Sequence, residues 1–157
     1  MVNIFPGRYA AQIDKPLVLF LIGMRINKFA AIGKWWPVAK AMPEMLRELS
    51  KQKDAGILGY NNYLWGRNLL VIQYWETFEK LLAYAHDRDG LHFPAWAAFN
   101  RAIGNDGSVG IWHETYKVEP GKFESIYVNM PRIGLAVAAR HLPASGGLSK
   151  AADRMQG

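Results

Sequence analysis

The side chains best suited to acid–base chemistry in this sequence are four histidines, a mid-strand carboxylate and one arginine near it in type. His113 stands in Val109 to Val118, a run whose composition predicts a strand. Ile111, His113 and Thr115 then point one way, and Trp112, Glu114 and Tyr116 the other. A histidine on such a face suits a general base of near-neutral pKa or a ligand; the plain alternative is a buried imidazole satisfied by one hydrogen bond. Glu114, flanked by Trp112 and Tyr116, must be paired or protonated if buried. Arg25 is the partner type on offer, either in a structural Arg25–Glu114 bridge or as an anchor for a substrate carboxylate or enolate. His92 precedes Phe93-Pro94 at a helix start, within reach of a cavity mouth, as a polar cap, a general acid or base, or an exposed residue. His86 ends a helix, where the dipole favours a cationic imidazole, and His141 falls in the tail and receives no role.

Other chemistries find less support. Zero cysteines exclude disulfides and zinc–thiolate sites. His86 and His92 are six apart, a poor spacing for two ligands on one helical face, so no metal is expected. Gly7, Gly33, Gly66 and Gly104 form no phosphate-binding spacing, and no serine sits in a nucleophile elbow. Six tryptophans are abundant for a core of this size. Trp36, Trp75, Trp96 and Trp112 are the candidates to grip an apolar or aromatic small molecule, with plain packing and dimer contact as the alternative.

Nineteen basic against thirteen acidic residues give +6, of which +3 lies in residues 131–157, where Arg132, Arg140, Lys150 and Arg154 face Asp153 alone. The remainder is dispersed and no recognition motif accompanies it, so nucleic acid is not an expected partner. The longest apolar run, Leu17 to Ile22 and on past Gly23 to Met24, is too short to cross a bilayer. It also lacks a cleavage pattern, and a cytoplasmic protein with no membrane partner is the expectation.

The elements that must position these groups follow from periodicity. Leu17 to Ile26 reads as a strand apolar on both faces. Trp35, Val38, Ala39, Met42, Met45, Leu46 and Leu49 follow the three–four spacing of an amphipathic helix, in which Pro43 predicts a kink or a late start and Gly56 a stop. Ile57 to Trp65 and Asn68 to Trp75 flank Gly66-Arg67 as a hairpin with a type II′ turn. Thr77 caps a helix carrying Phe78, Leu81, Leu82 and Ala85. Pro94 opens another, with Trp96, Phe99 and Ile103 inward and Gly104 at its end. With Val109 to Val118 the order is β-α-β-β-α-β, the ferredoxin-like α+β arrangement with an antiparallel sheet. Residues 1–130 form one domain; 131–157 read as an extended or mobile C-terminal arm. Because both sheet faces are apolar, a second subunit or the folded-back tail must cover the face without helices.

Several segments carry a resemblance. They are Tyr74-Trp75-Glu76-Thr77-Phe78 with His86, His92 and Trp96; Phe5-Pro6-Gly7-Arg8-Tyr9; Leu21 to Asn27; Gly110 to Tyr116; and Tyr127 to Pro131. Together, over roughly residues 3–131, the chain resembles the antibiotic-biosynthesis-monooxygenase superfamily of dimeric α/β barrels, nearest to a monooxygenase-like subgroup related to a protein of fungal fumagillin biosynthesis. The resemblance implies a homodimer and a monooxygenase-like activity without cofactor on an activated aromatic or polyketide-like substrate. It also admits haem chemistry on the same fold, as in haem degradation or aldoxime dehydration, with His92 near the axial-ligand position. A non-catalytic dimer binding a hydrophobic ligand is the third reading.

Overall fold

A computed structural model describes residues 2–52, 54–87, 94, 96–97, 99–100 and 105–155. Nine strands and helices carry the described chain: β1 (Phe5–Gln12), β2 (Leu17–Ile26), α1 (Ile32–Leu49), β3 (Ile57–Trp65), β4 (Asn68–Trp75), α2 (Phe78–His86), β5 (Val109–Val118), β6 (Tyr127–Met130) and β7 (Arg140–Pro143), beside short 3-10 and helical turns. Pro94, Trp96, Ala97, Phe99 and Asn100 are also helical.

Strands β3-β4-β2-β5 make one antiparallel sheet, the strand order of a ferredoxin-like fold. The register is continuous from Leu17↔Val118 to Ile26↔Val109, so cross-strand partners share a face. Val18, Leu49, Trp75 and Leu81 form one buried cluster. Met24, Ile26 and Val109 form another, with Trp35, Val38 and Ala39 of α1 packed on it. Both lie on the face beneath the helices, and their burial supplies the main driving force for docking α1 and α2.

Local signals explain most boundaries. Gly66 alone in the hairpin loop takes a positive φ, +55°, as the first position of a II′ turn requires. Thr77 accepts from the Lys80 amide at 3.2 Å, capping α2. Helix α1 departs from expectation. It starts at Ile32, runs without a break through Pro37 and Pro43, and ends at Leu49 rather than at Gly56. Each proline removes one backbone donor, and the long apolar stripe laid on the sheet outweighs that loss.

A second sheet, ordered β6-β1-β7, comes from the two ends of the chain. The described part of the tail, 131–155, therefore folds back on the body: β7 pairs antiparallel with β1, from Tyr9↔Pro143 to Gln12↔Arg140. The arm itself has no aromatic residue, but the body supplies Phe5, Tyr9 and Tyr127 to enclose its His141. Two of its cations find body carboxylates, Arg140 with Asp14 at 2.6 Å and Arg154 with Glu124. The positive charge concentrated in the tail thus serves partly to fasten it.

Candidate active site between the helices and the sheet

On the helix-side face, β2 presents Phe20 and Ile22, β4 presents Gln73 and β5 presents Ile111. Above them lie Val38, Met42, Met45 and Leu46 of α1, Leu81 and Tyr84 of α2, and Trp96 with Phe99 stacked on it, ring centroids 5.4 Å apart. They enclose a cavity of about 350 Å³. A smaller one of about 180 Å³ lies beside it, between α1 and strands β2, β3 and β4. Most of the larger wall is aliphatic, thioether or aromatic, as a site for an apolar ligand requires.

Among the described residues, three polar side chains reach the larger cavity. Lys34 is ion-paired with Asp106. Asp106 also accepts from the Ser108 amide at 2.9 Å and hydroxyl at 2.6 Å, and these partners hold its carboxyl far below the usual range. Tyr84 makes a long contact of 3.5 Å to the Met45 carbonyl, and burial, with Glu48 and Asp87 adding to it, pushes its phenol up to about 12. It is a neutral phenol at physiological pH. Gln73 is 6% exposed and accepts from the Trp75 indole Nε1 at 2.9 Å.

His113 is on this same face, opposite Ile22 on the edge strand β5. It is solvent-exposed, and its ring centroid is 5.8 Å from that of Phe20, a residue of the cavity wall. Arg25 and Glu114 are on the opposite face. The register sets Arg25 against Gly110 and Glu114 against Leu21, four residues apart along β5. The expected Arg25–Glu114 bridge is replaced by two local contacts: Arg25 donates to Asn68 Oδ1 at 3.2 Å, and Glu114 accepts from the Tyr116 hydroxyl at 2.6 Å. Both groups are exposed, which removes the desolvation that would have demanded a bridge.

The four tryptophans separate. Trp96 lines the cavity. Trp75 is fully buried in the core under α2, Trp36 is 57% exposed on α1, and Trp112 lies on the far face over Gly23, where an added Cβ would run into its indole. His92 lies outside the described residues. Among the described wall residues there is no histidine, so those residues do not furnish a haem axial ligand. No group of three potential metal ligands occurs among the described residues.

Sequence reasoning passed over two residues. Gln73 gave one faint signal, a polar residue at an inward position of a strand otherwise apolar on that face. His141 gave none. Its ring is stacked on Tyr9 at 4.6 Å and met edge-on by Phe5 at 4.9 Å and Tyr127 at 5.4 Å, and neither nitrogen has a hydrogen-bond partner. Burial, with Arg132 contributing, lowers its pKa, so the imidazole is kept neutral.

The sequence and the fold fall in a known family. The Monooxygenase af470-like family model matches residues 17–135, most of the chain, and the protein belongs to that family. Monooxygenase af470 of Aspergillus fumigatus is 27% identical over 151 residues, covering 82% of this chain and 53% of that protein. The chain thus spans about half the length of the curated relative it matches. An aldoxime dehydratase crystallised with butyraldoxime superposes with a TM-score of 0.59 at 12% identity, over 85% of this chain and 37% of the dehydratase. A conserved protein of unknown function from Bacteroides thetaiotaomicron superposes with a TM-score of 0.50 at 11% identity, over 66% of this chain and 99% of that one. These two likenesses are of fold. No described helix is long and apolar enough to cross a membrane.

Proposed function

We propose that the chain is a small monooxygenase-like enzyme that holds an apolar or aromatic substrate in the cavity between α1, α2 and the sheet. The observation that carries this reading is the apolar cavity of about 350 Å³ with His113 against its Phe20 wall. His113 is the proposed base: it takes a proton from an activated C–H of the substrate. One electron passes from the carbanion to O₂, the radical and superoxide combine to a peroxide anion that takes the proton back, and loss of water with the second hydrogen of the same carbon leaves a carbonyl. On this route O₂ is the only oxidant and no resident cofactor takes part. Of the tryptophans, Trp96 is the proposed grip on the substrate.

Two further parts of the proposal concern the opposite face and the alternative chemistry. Leu21, Leu70 and Ile72 are only half buried there, beside the exposed Trp65 and Trp112, and a second copy of the chain is the proposed cover. Arg25 and Glu114 stand on that face, so within one subunit they are not the partners of His113. In the alternative chemistry, haem binding, the resemblance points to His92 as the residue that would hold the iron. An absorption spectrum with added haemin, in the protein and in His92→Ala, separates that chemistry from the cofactor-free route.

The deciding experiment is oxygen uptake on activated aromatic substrates by the protein and by His113→Ala. Turnover should vanish in the variant while its circular dichroism is unchanged. Equal turnover would remove His113 from the site. Tight binding without oxygen consumption in the parent protein would favour a non-catalytic ligand carrier.

A further inference from the structure

Gln73 is the one amide among the described residues of a wall that is otherwise almost wholly apolar, and its orientation is dictated by chemistry rather than by choice. An indole N–H can only donate, so the group that receives Trp75 Nε1 at 2.9 Å must be the amide oxygen. The NH₂ end is therefore turned away from Trp75. It donates to no group among the described residues, although Gln73 is 6% exposed and borders the cavity. The other two polar wall residues are occupied, Lys34 with Asp106 and Tyr84 with the Met45 carbonyl. The Nε2 atom is not sealed off as the His141 nitrogens are, so in the cavity it can meet water or a ligand that brings an acceptor in water's place.

We infer that Gln73 is the specificity-determining contact of the cavity, donating from Nε2 to a carbonyl oxygen on an otherwise apolar ring compound, with Trp75 as its positioning residue. This rests on the proposed use of the cavity and names the substrate class more closely. Gln73 stands directly opposite Phe20, the same wall residue that His113 approaches from β5. A carbonyl held at Gln73 therefore sets the rest of the ligand along the Phe20 side of the cavity, toward the imidazole. If the adjacent C–H gives up its proton, the charge passes to the oxygen that Gln73 already contacts. The hydrogen bond then strengthens as the enolate forms.

The test compares two ligands of one shape, 2-acetylnaphthalene and 2-ethylnaphthalene, by quenching of tryptophan fluorescence. The readout is the ketone-to-hydrocarbon affinity ratio, so the different cost of desolvating the two ligands cancels between proteins. Gln73→Met should lower that ratio about tenfold and leave the hydrocarbon's affinity near its starting value. Should the orphaned Trp75 indole prevent that variant from folding, Trp75→Phe/Gln73→Met is compared with Trp75→Phe, since losing both partners spares the indole. An unchanged ratio overturns the role of Gln73 and leaves the cavity reading standing. Failure of the parent protein to bind either compound overturns both.

Discussion

The two faces of the four-stranded sheet are built from alternate residues of the same strands, yet they meet different fates. On the helix side, Val18, Met24, Val71 and Trp75 are buried and the space left over is an apolar cavity. On the other side, the chain's own ends cover only one portion. Gly134 donates from its amide to Asn61 Oδ1 at 2.8 Å, and Val137 sits so close to Gly59 that a Cβ there would fall 2.8 Å from its methyl. Tyr74 is buried under this cover and its phenol is raised by desolvation. Beyond it, Trp112, Tyr116 and Trp65 remain exposed. A face covered by helices separated from it by side chains leaves room for a ligand; a face covered by strands and turns at van der Waals distance does not.

That contrast can be broken from either side. The largest effect should come from Trp75→Ala, which empties the best-buried site on the helix face and orphans Gln73. A loss of about 3–5 kcal/mol is expected, measured by urea denaturation, and a loss under 1 kcal/mol would show that the cavity side tolerates collapse. Gly23→Ala strikes the opposite face, where the new methyl must displace the Trp112 indole. It should cost about 1–3 kcal/mol and weaken any self-association through that face, read by sedimentation equilibrium. Unchanged stability and association would mean that the indole is not held against β2.

The smallest effect sharpens the account of the terminal cover. His141 is neutral in the folded state, with its pKa below the ordinary 6.5. Above pH 6.5 both states are neutral and stability is unaffected. As the pH falls through 6.5 toward the folded pKa, the unfolded chain binds the proton first, so stability declines. The melting temperature of the protein should therefore fall between pH 7 and 5, less steeply in His141→Phe. Parallel curves for the two proteins would assign the slope to other groups.

Much of the framework was legible in the sequence because its causes are local. Apolar, β-rich runs bounded by turn residues mark β2, β3, β4 and β5 at their observed bounds, and Gly66 and Thr77 announce a hairpin turn and a helix cap. The opposition of His113 to Trp112 and Glu114 follows from strand parity alone, whereas the structure decides that His113 takes the helix side. Tertiary structure decided what depends on distant partners. That Arg25 and Glu114 share a face and are separated along it is decided by the register of β2 on β5. Gln73 becomes a directed donor because Trp75, two residues on, holds its oxygen inside a core assembled from α1 and α2. The return of the tail to β1 rests on contacts more than a hundred residues apart in sequence, such as the Ala144 amide on the Arg8 carbonyl and Arg140 on Asp14. A local pattern carries no trace of such closures, because their free energy resides in which surfaces meet.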